Sequence, residues 1–486
     1  MLFNSYAFAI FFCVVYVCFW ALYKIRLAQQ VVLLAASIYF YSRLHALFPM
    51  YLGGIVLLTY VLGRLVEVKK NVAVLALSVV SVIATLLFVK YTNFLGEIIS
   101  PFLGNTWSAW NILVPVGISF YTFNCVGYVV DVYQQKTPAE RNLVTFASYI
   151  SFFPHLLIGP IAKSTELLPQ FKKPTSWNFL ENVQQPAGIF LWGLFKKIVV
   201  ADNIELTTQY CLSNFEGIGA LNLMIGAFLI GVHIYADFSG YSDMAYAVAK
   251  ALGFDIIQNF QRPLFYKNLQ DFWKRWHASL TIWFNDYIFT PIVIAQRDWG
   301  MWAPIVGILI TFLVSGIWHG AGFTFVVWGL LHGTALAIEI GTKKTRKQLK
   351  KSIPSWLFSF GSYGIILVFL LVTWVVFKSN TLQQAWSYCG QMFSLHKASA
   401  PQFFIYSQLK WVAILFLVEA LYTNQTWVLA CMPSSSSLAK NKKFTSLVEH
   451  KYISVILLAI LYALLIVAMV YFNKQSSSRE YYYFKF

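Results

Sequence analysis

Charge is scarce in this chain, and negative charge is scarcest. Of 486 residues only 19 are Asp or Glu, against 36 Lys or Arg, and charged residues make up 11% of the whole. A soluble domain carries about 25%, so a water-exposed globular surface is excluded. Cysteine is also sparse. The six cysteines (Cys13, Cys18, Cys125, Cys211, Cys389 and Cys431) are scattered within or beside apolar segments, with no CxxC pair and no metal-ligand spacing. That pattern implies neither a disulfide framework nor a zinc site. No internal repeat and no separate soluble domain is visible. The first apolar stretch lacks a basic segment before it and a small-residue cleavage site, and Lys24 and Arg26 follow it. It is expected to be a retained first span, not a cleaved leader.

What the chain has in plenty is hydrocarbon. It is 58% hydrophobic and 18% aromatic, with a mean hydropathy of +0.63. Candidate spans lie near 6–23, 30–48, 49–64, 73–90, 111–130, 143–162, 186–200, 219–236, 278–296, 302–318, 320–341, 355–377, 403–422 and 453–472. Several are short or interrupted by Gly, Pro or charge and read as re-entrant or interfacial. The expectation is an all-α polytopic membrane protein with about 11 to 12 crossings, its aromatic residues forming belts at two interfaces.

The net charge of +17 does not point to nucleic acid. The basic residues sit in short loops between apolar spans, which is the positive-inside pattern of a protein embedded in a lipid bilayer. Placing Lys24 and Arg26 on the cytoplasmic side puts the N-terminus outside, and Arg64, Lys69 and Lys70 then return inside. The run Lys343, Lys344, Arg346, Lys347, Lys350, Lys351 marks the cytoplasmic face again, as do Lys440, Lys442, Lys443 and Lys451. Residues 473–486 are thereby expected on the exported face. A single transmembrane domain over 1–472 and an exported tail follow.

Against this apolar background a few polar constellations stand out. The first is Ser315-Gly316-Ile317-Trp318-His319-Gly320-Ala321-Gly322, which places an ionisable ring within hydrocarbon. Such a group faces a cavity or a bundle interior and is a functional-site hypothesis by default, while a histidine that merely bonds a neighbouring helix is the plainer reading. The flanking glycines leave room for another backbone or for a long thin substrate. The second is Asp271 to Tyr287, where Trp273, Trp276, Leu280, Trp283 and Tyr287 recur at helical spacing. It reads as an interfacial amphipathic helix or as a helix that also projects His277 toward a buried polar path. The third, His233 to Asp243, reads chiefly as structural, with Ser242 or Asp243 capping a helix that begins at Met244. His332, thirteen residues beyond His319, would fall on a different face and level of a continuous helix and reads as packing.

The segments Val114–Phe123, Phe152–Pro160, Tyr235–Asp243, Phe272–Leu280 and Ser315–Gly320 together resemble the membrane-bound O-acyltransferase superfamily. The resemblance is to its bacterial alginate and peptidoglycan O-acetylation branch, with teichoic-acid D-alanylation proteins more distant. It covers about 1–340 and is most specific in 110–335. It implies a ring of helices around a thinned core with a central tunnel, no permanently bound cofactor, and a cytoplasmic acyl thioester such as acetyl-coenzyme A as donor. It also implies that His319 and His277 are the functional histidines. The final Tyr481-Tyr482-Tyr483-Phe484-Lys485-Phe486 is an interfacial anchor on its own terms, but resembles an aromatic C-terminal motif proposed to carry the acyl group. Tyr483 is the acceptor in that pattern, although the first aromatic is Tyr481 instead of the commoner Phe, which leaves Tyr481, Tyr482 and Tyr483 as three candidate phenols.

The chemistry expected from these residues is acyl relay across the bacterial cytoplasmic membrane. A phenol with a pKa near 10 needs a base. His319 would take its proton, and His277 would orient the thioester or polarise its carbonyl. An exported acyltransferase- or esterase-like partner would pass the group to a polysaccharide. Arg262, Lys267, Lys274 and Arg275 would attract the anionic donor or anionic lipid headgroups, and Trp276 and Trp318 flank the two histidines as donor-site candidates. The competing functions are D-alanyl transfer from a carrier protein and, in a different class, a proton-coupled transporter, which predicts inverted repeats.

Overall fold

The computed structural model describes residues 1–173, 176–394 and 403–422; Tyr483 and the tail lie outside them. Among the described residues every regular element is a helix. The N-terminal group is α1 (Tyr6–Ala21), α2 (Arg26–Ser42), α3 (Phe48–Lys69), α4 (Val72–Ile99) and α5 (Ile118–Tyr133). Local signals set these boundaries. Ser5 and Asn71 each accept a backbone N–H of the first turn, and Lys70 closes α3 in the left-handed conformation. Short helices follow: α6 (Leu143–Ser151), α7 (Phe153–Leu156) and α8 (Ser164–Lys172), then α9 (Gln185–Phe195), a π-turn at Lys196–Ala201 and α10 (Asp202–Ser213).

The axis of the molecule is α11 (Ala220–Ala251), buried along most of its length. It packs on α9, α10 and the π-turn between them. Beyond it lie α12 (Leu269–Arg275), α13 (Ala278–Phe284) and α14 (Thr290–Ala295), then the antiparallel pair α15 (Trp302–His319) and α16 (Phe323–Gly341). The described chain ends through α17 (Lys343–Ser352), α18 (Ser355–Lys378), α19 (Leu382–Met392), α20 (Phe403–Ser407) and α21 (Leu409–Tyr422). Seven helices among the described residues are long and apolar enough to cross a membrane. The protein is an all-α polytopic membrane protein.

Close backbone approach joins α15 to α16. A Cβ on Gly316 would lie 2.3 Å from the Phe325 carbonyl oxygen, and one on Gly329 would lie 2.3 Å from that of Phe312. Small residues of this kind let membrane helices meet where no hydrophobic force drives them together. Gly316 thus admits a backbone.

Three local expectations need correction. First, α11 runs unbroken through 233–243, so Ser242 and Asp243 do not cap a helix starting at Met244. Ser242 Oγ instead accepts from Asn259 at 3.3 Å, and Asp243 pairs with Lys196 at 2.6 Å. Second, the tryptophan stripe is not one interfacial helix. Trp276 is extended and His277 left-handed, with φ +48°, so α12 and α13 are separate and Trp273, Trp276 and Trp283 are all buried. Third, His332 shares a cavity with His319. The extended residues Gly320 and Gly322 break the helical count, so the thirteen-residue separation says nothing about facing.

Candidate functional site

His319 is the last residue of α15, and its ring is boxed by aromatic edges. The ring centroids of Trp318, Trp328 and Phe377 lie 4.8, 5.0 and 5.1 Å away. His319, His277 and His332 line one buried cavity of about 20 Å³, with Ile234, Trp276 and Leu280 among its walls. A space of that size holds about one water molecule. Trp273 donates to His332 Nδ1 at 3.3 Å, and because an indole nitrogen can only donate, Nδ1 is the accepting nitrogen of that ring.

His277 is held by a network that sequence reading missed. Asn259 Oδ1 accepts the Ser279 backbone N–H at 3.2 Å and its hydroxyl at 2.6 Å, and lies 3.3 Å from His277 Nδ1. A backbone N–H cannot accept, so the atom facing Ser279 is the amide oxygen and His277 Nδ1 carries the hydrogen. The Nε2 atom then presents a lone pair. It has no hydrogen-bond partner among the described residues and is buried. The Ala278 N–H also bonds to the Asn259 carbonyl at 2.9 Å, fastening the turn that holds the strained φ of His277.

The remaining expected residues are distributed around this centre. Trp276 lines the histidine cavity. Trp318 stacks on Phe123 at 5.1 Å, and its indole nitrogen has no hydrogen-bond partner among the described residues. Lys274 is exposed and lines a second cavity of about 310 Å³, with Gln270, Asn285 and Ile340. Trp273 and Leu280 wall both cavities. Arg275 is ion-paired to Asp271 at 3.0 Å and lines neither. Arg262 is half-buried and Lys267 exposed on the segment before α12. Among the described residues no group of three His, Cys, Asp or Glu side chains is arranged to hold a metal ion.

Another omission from the sequence reading is Lys90, in the middle of α4. Its ammonium donates to the carbonyls of Trp318 at 2.8 Å and His319 at 3.3 Å. A lone lysine in the apolar run of α4 was a readable signal by the same membrane-depth rule that singled out His319.

A family model described as MBOAT, membrane-bound O-acyltransferase family, matches residues 2–353. Among curated proteins, the chain is 32% identical over 405 residues to a probable alginate O-acetylase AlgI of Pseudomonas aeruginosa, covering 81% of this chain and 75% of that protein. It is 28% identical over 406 residues to a peptidoglycan O-acetyltransferase of Helicobacter pylori, covering 76% and 74%. Similarity to a teichoic acid D-alanyltransferase of Bacillus subtilis is weaker and shorter, at 26% over 250 residues, covering 49% and 62%.

Proposed function

The chain belongs to the membrane-bound O-acyltransferase family and is an acyltransferase, and we propose that it relays an acetyl group from a cytoplasmic thioester to an exported polysaccharide. The observation that carries this reading is the cavity itself. Histidines from three separate segments, His277, His319 and His332, face one small buried space, and that space shares the walls Trp273 and Leu280 with a larger cavity bearing Lys274. Lys274 and the shared walls Trp273 and Leu280 mark the side from which a thioester arm would approach the histidines, while bulk water has little room beside them.

In the proposed step a hydroxyl oxygen attacks the thioester carbonyl carbon, the C–O bond forms and the C–S bond breaks. His319 takes the hydroxyl proton and returns it to the departing thiolate. His277 lines the cavity and keeps an accepting nitrogen without a partner among the described residues, and an acceptor would suit orienting a donor group of the incoming substrate more than polarising a carbonyl. Tyr483 is the proposed hydroxyl, on a tail at the exported face of a bacterial cytoplasmic membrane. Both chain ends would lie on that face. Its aryl ester would be a reactive donor for an exported acyltransferase or esterase-like partner. Acetyl-coenzyme A is the proposed donor, approached through Lys274 and the neighbouring Arg262, Lys267 and Arg275.

The test is the O-acetyl content of exported polysaccharide in a deletion strain complemented with wild-type, His319→Ala or Tyr483→Phe protein at matched membrane levels. Both variants should fall to the level of the deletion. Wild-type acetylation with His319→Ala would refute the base. Wild-type acetylation with Tyr483→Phe would reduce the tail to an anchor and leave the rest standing.

A further inference from the structure

Helix α15 delivers His319 at its very last position, where a helix normally leaves its final carbonyls without intrahelical partners. In water those carbonyls are solvated. Within a bilayer they need protein donors, because an unsatisfied backbone group there costs several kcal/mol. The usual remedy is a left-handed glycine that turns the chain back over the helix end. Here Gly320 is extended instead, with φ −171° and ψ 158°, so the chain leaves α15 and enters α16 without curling over it.

The donors come from α4. Lys90 Nζ donates to the Trp318 carbonyl at 2.8 Å and to the His319 carbonyl at 3.3 Å, while the Tyr91 hydroxyl donates to the Ile317 carbonyl at 2.5 Å. Three consecutive carbonyls at the end of α15 are thus held by two adjacent side chains of another helix. The remaining reach of the ammonium meets Ser119 Oγ on α5 at 3.5 Å. A cation at a helix C-terminus is also favoured by the helix dipole. An intramembrane lysine is expensive unless it has such partners.

We propose that Lys90, assisted by Tyr91, is a positioning residue for His319: it clamps the end of α15 and so fixes the imidazole relative to His277 across the cavity. The proposal rests on the reading of His319 as the base. Lys90 approaches the backbone of α15 and is not among the residues that line either cavity, so its removal should affect the chemical step and spare donor binding.

The experiment uses the full chain in lipid nanodiscs with acetyl-coenzyme A as donor and single-turnover acylation of the chain as readout, its limiting rate taken as kcat and its half-saturating donor concentration as KM. Lys90→Met should lower kcat on the order of 10²-fold, the scale of a misplaced catalytic group. Its KM for acetyl-coenzyme A should stay within about twofold of wild type, since uniform binding is untouched. Lys90→Arg, which keeps charge and donors, should recover most of kcat, and Tyr91→Phe should show a smaller loss at unchanged KM. A folded Lys90→Met enzyme with wild-type kcat, or one whose defect lies wholly in KM, overturns the proposal. Should Lys90→Met fail to insert, Tyr91→Phe decides, because a wild-type kcat there also overturns it. Full activity in His319→Ala would sink the base assignment itself. Loss in His319→Ala with no loss in the Lys90 and Tyr91 variants sinks the clamp alone.

Discussion

Two buried polar regions meet along α11, and they are built on opposite principles. On one side Lys197 faces Asp237 at 2.7 Å and Asp202 at 3.0 Å, Lys196 faces Asp243 at 2.6 Å, and Tyr235 donates to the Glu419 carboxylate. Each lysine has a carboxylate, and the groups come from the π-turn, α10, α11 and α21. On the other side Ile234 of the same helix opens onto the histidine cavity, where His277 Nε2 has no partner among the described residues. Polar groups in hydrocarbon are costly when unpaired. The paired cluster therefore reads as architecture, holding helices together, and the cavity lined by His277, with its unpartnered nitrogen, is where the proposed chemistry would take place.

That distinction can be broken at either end. The largest expected effect on stability is at Lys197, 2% exposed and shared by two carboxylates. Lys197→Met leaves those carboxylates without their cation and should destabilise the protein by about 3–5 kcal/mol, read as a fall in thermal midpoint in nanodiscs. Wild-type stability in that variant would remove the structural role of the cluster. In the cavity the order reverses. Asn259→Ala should lower kcat roughly tenfold or more by freeing the orientation of His277, and Asn259→Ala/His277→Ala should be no worse than His277→Ala alone, as expected of residues acting through one group. Additive losses would mean that Asn259 acts elsewhere. The smallest effect is expected at the entrance. Reversing Lys274 and Arg275 to Glu should raise the KM for acetyl-coenzyme A several-fold at low ionic strength and less at high salt, because exposed charges are screened. An unchanged KM with reduced membrane insertion would assign these residues to lipid headgroups instead.

How much of this could be read beforehand follows from where each signal resides. The membrane class is legible because scarcity of charge is a property of composition, and His319 and His277 are legible because each sits in a distinctive local segment. Lys90 was equally visible as a lone cation within an apolar run, yet its partner is a helix end more than two hundred positions away. The role of Asn259 depends on a left-handed turn at His277, and no glycine marks that turn in the sequence. The facing of His332 is not legible from helical counting, because the chain is extended at Gly320 and Gly322. The cap expected at Ser242 failed for the opposite reason. Tertiary partners at Asn259 and Lys196 absorb the polar residues of 233–243, so α11 has no need to stop there.

The most direct test of the division between architecture and chemistry is single-turnover transfer from radiolabelled acetyl-coenzyme A to the full-length protein in nanodiscs, with thermal unfolding measured on the same preparations of wild type and His319→Ala. The expected result is a base-labile acetyl adduct on the wild-type chain and a transfer rate lower by about 10²–10⁴-fold in His319→Ala, the range of a lost general base, with no fall in thermal midpoint. Transfer by His319→Ala at the wild-type rate, or a loss matched by unfolding, would contradict it.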